Sequence, residues 1–213
     1  MLILGVDVGI VNLALALVEV DEYYRVVGLR EWRHLDITVL RHERVSRCAC
    51  LLGHGKTLTD RLEHVFQEEE DLFEAASVVA IEQQPPGGHQ GVEQLIFSKY
   101  RSKAHLVHPR SMHCHFCIQD RDYDGRKEQL ANLFAEIPHV SVETKMELGE
   151  KYRAHDVIDA YFIAAFFAAR QKLKLPPPPP RPNGLPAHFK TSAECASVEE
   201  FLWQFRYVPR HLR

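Results

Sequence analysis

The chain has 213 residues, 46% of them hydrophobic and 26% charged, with a formal net charge of -3. This composition excludes a wholly disordered chain, and the length suits one sizeable core but is short for two. The most apolar stretch, residues 157–169, carries Asp159 and falls short of the ~20 residues a spanning helix needs, so no membrane span is expected.

Residues 2–8 are apolar except for Asp7, and residues 13–20 are nearly as apolar, with Gly9-Ile10-Val11-Asn12 as turn residues between them. The pattern predicts a hairpin of two buried strands. Asp7 also interrupts the opening apolar run too early for a signal peptide, and Met1-Leu2-Ile3-Leu4 has no basic lead-in. Together with five cysteines, an odd number, this reads as an intracellular chain with free thiols. Residues 25–32 suit a third strand, and residues 33–55 are irregular.

Leu58, Leu62, Val65, Phe66, Leu72 and Phe73 recur at helical spacing across residues 57–76, with Thr57 or Thr59 as the cap. The β-branched run 77–82 predicts a strand ending in Glu82 and stopped by Pro85-Pro86-Gly87-Gly88. Helical spacing resumes over 90–104, residues 105–108 suit a strand closed by Pro109, and residues 126–137 and 155–172 read as helices. Five consecutive prolines at 176–180 form a stiff extended spacer. The compact domain is therefore placed at 1–175, the spacer at 176–182 and a tail at 183–213, with a short helix around 197–205. A hairpin followed by strand–helix units predicts an α/β fold, a mixed sheet with helices packed on it.

Four acids sit on elements otherwise built for burial. Asp7 lies inside an apolar strand, Glu82 ends one, and Asp156 and Asp159 open the most apolar helix. Each alone has an ordinary structural account: a helix-dipole acid at Asp156, a strand-end acid at Glu82, an acceptor for turn amides at Asp7. Together they point elsewhere. Asp156 and Asp159 are three residues apart and project from one face of a first helical turn, and neighbouring strands bring Asp7 and Glu82 to the sheet centre. Clustered carboxylates raise each other's pKa values unless a cation intervenes. Hard oxygen donors suit Mg²⁺ or Mn²⁺, and a pair of such ions is the usual device for in-line phosphodiester hydrolysis. A metal-dependent nuclease is the expectation.

The sequence here resembles a known family. Gly5-Val6-Asp7-Val8-Gly9-Ile10-Val11-Asn12, then Val79-Ala80-Ile81-Glu82-Gln83-Gln84, then His155-Asp156-Val157-Ile158-Asp159-Ala160 match in order and spacing the motifs of RuvC-like Holliday-junction resolvases. The flavour is nearest the resolvases of poxviruses, iridoviruses and other large DNA viruses. The resemblance covers roughly residues 1–173. It implies a ribonuclease H-like fold, a mixed five-stranded sheet ordered 3-2-1-4-5 and flanked by helices. It further implies that Asp7, Glu82, Asp156 and Asp159 are catalytic and hold two Mg²⁺ ions, with Mn²⁺ able to substitute. The activity implied is that of a crossover-junction endodeoxyribonuclease: a homodimer making paired symmetric nicks in four-way DNA junctions and leaving 5′-phosphates, with no small-molecule cofactor. A viral member would work where viral DNA replicates in the host cell. Lys127 matches a family basic residue near the scissile phosphate, whereas a further lysine of the bacterial enzymes falls on Met112 or His113 here.

Charge is patchy along the chain. Lys99, Arg101, Lys103 and Arg110 fall in a stretch, residues 95–118, without an acid, and with Lys127 they are the expected phosphate contacts. Val92, Leu95, Ile96 and Tyr100 are the expected dimer contacts. Gly53-His54-Gly55-Lys56-Thr57 imitates the end of a P-loop, but Cys50 stands where the first glycine is required. His155-Asp156 suggests an HD phosphohydrolase, an all-helical class that the N-terminal hairpin argues against. Cys48, Cys50, Cys114 and Cys117 have zinc-site chemistry, yet in the implied fold they follow strands at opposite edges of the sheet, ~19 Å apart. Two rival functions stay open: a ribonuclease H-like enzyme acting on RNA, and a non-catalytic module that binds branched nucleic acid.

Overall fold

A computed structural model describes residues 1–38, 57–118, 121–150 and 153–174. Strands β1 (Leu2–Asp7) and β2 (Leu13–Val20) form the expected antiparallel hairpin, with Asp7 opposite Ala14. The turn depends on Gly9, where a β-carbon would lie 2.5 Å from the Asn12 carbonyl oxygen. Strand β3 (Val26–Leu35) pairs with β2 and runs beyond the predicted end at residue 32. Strands β4 (Val78–Glu82) and β5 (Ala104–Val107) add in parallel on the other side of β1, giving the order β3-β2-β1-β4-β5. This is the topology that the sequence led us to expect.

Helices cover both faces. The predicted helix over 57–76 is two pieces, α1 (Leu58–Glu68) and α2 (Glu70–Ala75), split at Glu69. The break turns the buried Glu69 carboxylate toward Arg33, whose Nε donates to it over 3.0 Å. Thr57 is the cap, exchanging hydrogen bonds with Asp60. Helix α3 (Gln90–Lys99) stops short of the predicted residue 104, and Tyr100 beyond its end stacks on Phe73 with ring centroids 4.5 Å apart. Pro109 does not merely close a strand; it begins helix α4 (Pro109–His115), where the Nδ1 of His108 accepts from the Arg110 N–H over 3.1 Å. Helix α5 (Tyr123–Ala135) starts earlier than predicted because Asp122 caps it, and the unpredicted α6 (Val142–Gly149) is capped by Ser141. Helix α7 (Ala154–Lys172) matches its prediction to within a residue. No helix among the described residues is long and apolar enough to cross a membrane.

Residue size decides which helix lies closest to the sheet. On one face β1, β2 and β4 present Gly5, Ala14, Ala16 and Ala80, and α7 meets them with Ala160, Ala164 and Ala168. On the other face Leu4, Val6, Leu13, Leu15 and Leu17 pack against α1, α2 and α3. The expected dimer contacts belong to this second core. Val92, Ile96 and Tyr100 are buried in their own chain, so for these three the expectation is corrected: α3 spends most of its apolar stripe on the sheet. Leu95 packs against the same cluster but stays partly exposed.

Cys114 and Cys117 are free and exposed. Cys48, Cys50, the P-loop imitation up to Lys56, the proline run, the tail and the short helix expected in it lie outside the described residues.

Candidate metal centre

Asp7 and Glu82 are the last residues of β1 and β4, parallel neighbours that place Val6 opposite Ile81. Side chains alternate along a strand. Because Val6 and Ile81 point into the core under α1–α3, Asp7 and Glu82 face α7. The first turn of α7 brings Asp156 and Asp159 to the same place. One oxygen from each of Asp7, Asp156 and Asp159 lies within 4.8 Å of the others. Glu82 stands just outside this trio, close enough for its charge to act on both Asp7 and Asp159.

Several neighbours complete the cluster. Lys127, on α5, contacts Asp159 and sits 3.9 Å from Asp156. Arg153, in the left-handed conformation at the α7 N-cap, directs its fork at Asp156, with Nε donating over 2.7 Å and Nη2 over 3.3 Å. His34 follows Asp7 and Ala14 in a row across the sheet, and its Nε2 comes within 3.4 Å of Asp156. Sequence reading missed Arg153 and His34. Arg153 stands three residues before Asp156, a helix-capping distance that was legible; His34 depends on the strand register and was not.

Electrostatics divide the acids. Burial, then the charges of Asp159 and Glu82, push Asp7 well above the usual carboxylate range. Burial likewise lifts Asp159 to about 6 against the opposing pull of Lys127, and raises Glu82. For Asp156 burial is outweighed by the Arg153 hydrogen bond and by the charges of His155, Arg153 and Lys127, which hold it below its ordinary value. Burial works against the charged Lys127 ammonium, but Asp159 and then Asp7 win and raise it. The donor set is therefore hard carboxylate oxygen, crowded enough to retain protons and already drawing in a lysine as its cation. Those properties fit Mg²⁺ or Mn²⁺.

The predicted phosphate-binding residues do not share one surface. Lys99 pairs with Glu63 over 3.0 Å, and Lys103 donates to the Phe73 carbonyl over 2.9 Å, both within the α1–α3 layer. Arg101 is exposed between α3 and β5. Arg110 instead lines a cleft of about 590 Å³ beside the end of β4, with Gln83, Gln84, His108, His113 and Arg126 and, among the described residues, no acid.

No protein-family model matches the sequence, and no curated protein does. Solved structures supply the likeness, Holliday-junction resolvases among them. The fowlpox virus resolvase in complex with its substrate Holliday junction DNA is similar with a TM-score of 0.56 and 16% identity, over 80% of this chain and 99% of that one. The yeast mitochondrial Holliday junction resolvase Ydc2 gives 0.59 and 15% identity, covering 81% of each chain. Thermus thermophilus RuvC gives 0.52 and 14%, over 81% of this chain and 96% of that one. The likeness establishes the fold: a ribonuclease H-like mixed sheet of the RuvC type, with helices on both faces.

Proposed function

We propose that this chain is a metal-dependent, structure-selective endodeoxyribonuclease that resolves four-way DNA junctions. The observation that carries the reading is the convergence of Asp7, Glu82, Asp156 and Asp159, from two strands and a helix, in a fold shared with junction resolvases. These four residues would hold two Mg²⁺ ions, or Mn²⁺ in their place. When bound, such ions activate water and stabilise the leaving oxygen of a phosphodiester, leaving a 5′-phosphate. Arg153 keeps Asp156 ionised and aimed before any cation arrives. Lys127, beside Asp159 and Asp156, would offer its ammonium to a phosphate oxygen. Arg110 and Arg126 line a basic cleft suited to a phosphate backbone, where they would position the strand without reading its sequence. A homodimer would present two such centres to the junction and nick symmetrically.

The test is cleavage of end-labelled substrates with Mg²⁺: a four-way DNA junction, a linear duplex of the same sequence and an RNA–DNA hybrid. Nicks confined to the junction support the reading. Cleavage of the hybrid alone would transfer the activity to RNA, and binding without cleavage would leave a recognition module.

A further inference from the structure

We propose that Gln84 is a positioning residue that aims Glu82 into the metal centre, and that the loop after β4 is built to hold it. The inference rests on the metal-centre reading above. Glu82 is the one acid of the four outside the tight trio, so its neighbours decide where its carboxylate points. Gln84 Nε2 donates to Glu82 Oε2 over 2.7 Å. The amide cannot reverse without loss, because its Oε1 accepts from the His89 backbone N–H over 3.2 Å.

The chain around Gln84 is fixed as well. Its own N–H donates over 2.5 Å to Oε2 of Glu93, a buried carboxylate whose other oxygen accepts from Gln94 Nε2 over 2.6 Å. Between these anchors Pro85-Pro86-Gly87-Gly88 closes a tight turn, with Gly88 N–H donating to the Pro85 carbonyl over 2.9 Å and Gly87 at φ 84°. A β-carbon on the exposed Gly88 would meet Gln84 Oε1 at 2.9 Å. A methyl group at position 88 would therefore press on the amide and displace it. The buried glutamate, the His89 N–H and the turn closed by Gly88 together hold one side chain, whose amide N–H donates to the Glu82 carboxylate.

The experiment is calorimetric titration of the full-length protein with Mn²⁺ alone, without DNA. Gln84→Met keeps the length and removes the donor. It should weaken Mn²⁺ binding by about 10-fold or more, as for other groups that orient metal ligands. A cycle with Glu82→Gln separates aiming from folding: once Glu82 has lost its charge, Gln84→Met should cost nothing further. Equal losses in both backgrounds would overturn the proposal, as would wild-type affinity in Gln84→Met. If Gln84→Met does not fold, Gly88→Ala asks the same question from an exposed loop, with reduced affinity expected and unchanged affinity contradicting it. Wild-type protein that binds no Mn²⁺ would instead overturn the metal-centre reading itself.

Discussion

Gly5→Ala tests how closely the sheet and the metal centre are linked. Gly5 lies in mid-strand under α7, and a β-carbon there would fall 1.9 Å from the Ala160 carbonyl oxygen and 3.1 Å from the Ala164 β-carbon. Since such contacts do not occur below 3.0 Å and the obstacle is backbone, α7 must retreat by about 1 Å. The same helix carries Asp156 and Asp159, whereas Asp7 is two residues further along the strand that carries Gly5. One side of the metal centre therefore moves away from the other. Overpacking of this kind costs ~1–3 kcal/mol of stability, and a 1 Å misplacement of reacting groups costs on the order of 10²-fold in rate. Urea unfolding and single-turnover junction cleavage measure the two effects. Gly28→Ala is the control, because its β-carbon would meet only Glu19 Oε2, at 3.8 Å. A Gly5→Ala protein of wild-type stability and rate would refute the reasoning.

Four further outcomes are expected. Asp7→Asn should bind junctions as wild type does but not cut them, and its metal-free form should melt at a higher temperature, since a repelling buried acid is gone; residual cleavage at wild-type rate in a gel assay would make Asp7 merely structural. Asp159, lifted from 3.8 to about 6 by burial, holds its proton more tightly folded than unfolded, so it stabilises the fold below pH 3.8 and loses that contribution as pH rises through about 6. In EDTA, Asp159→Asn should therefore gain on wild type across that window, by up to ~3 kcal/mol; melting curves that stay parallel would contradict this. Arg110→Ala and Arg126→Ala should each flatten the salt dependence of junction binding by about 0.9 in the log–log slope, one phosphate contact apiece. Sedimentation equilibrium should find a dimer, and replacing the buried Val92 and Ile96 by polar residues should unfold the protein instead of yielding folded monomers.

Much of the fold was legible because its signals are local and repeated. The β1–β2 hairpin follows from two apolar runs around Gly9 and Asn12, and α7 from an uninterrupted apolar stretch opening on two acids. The splits and stops were less legible because tertiary contacts set them: Glu69 breaks a helix to reach Arg33, and Tyr100 ends one where its ring stacks on Phe73. Helix α4 carried a written signal, Pro109 at its first position, that reads equally well as the end of a strand. At the site, the four acids stood out because each is a charge on an element meant for burial. Of their partners Lys127 was named from the sequence, while others were not. His34 and Gln84 are ordinary polar residues until strand register and loop closure bring them to Asp156 and Glu82. The spread of the basic residues was hidden for a related reason: Lys99 and Lys103 are close in sequence to Arg110, but they pair with acids on the opposite face of the sheet.

Cleavage of a supercoiled plasmid that extrudes a cruciform tests the central claim most directly. Two coordinated nicks across the junction convert the circle to a linear product within the lifetime of one complex, whereas uncoordinated nicking relaxes the cruciform and stops at a nicked circle. With Mg²⁺ the wild-type chain should yield linear plasmid with ligatable 5′-phosphate ends, and Asp7→Asn should yield none. Nicked circles alone, or linear product undiminished in Asp7→Asn, would contradict the account.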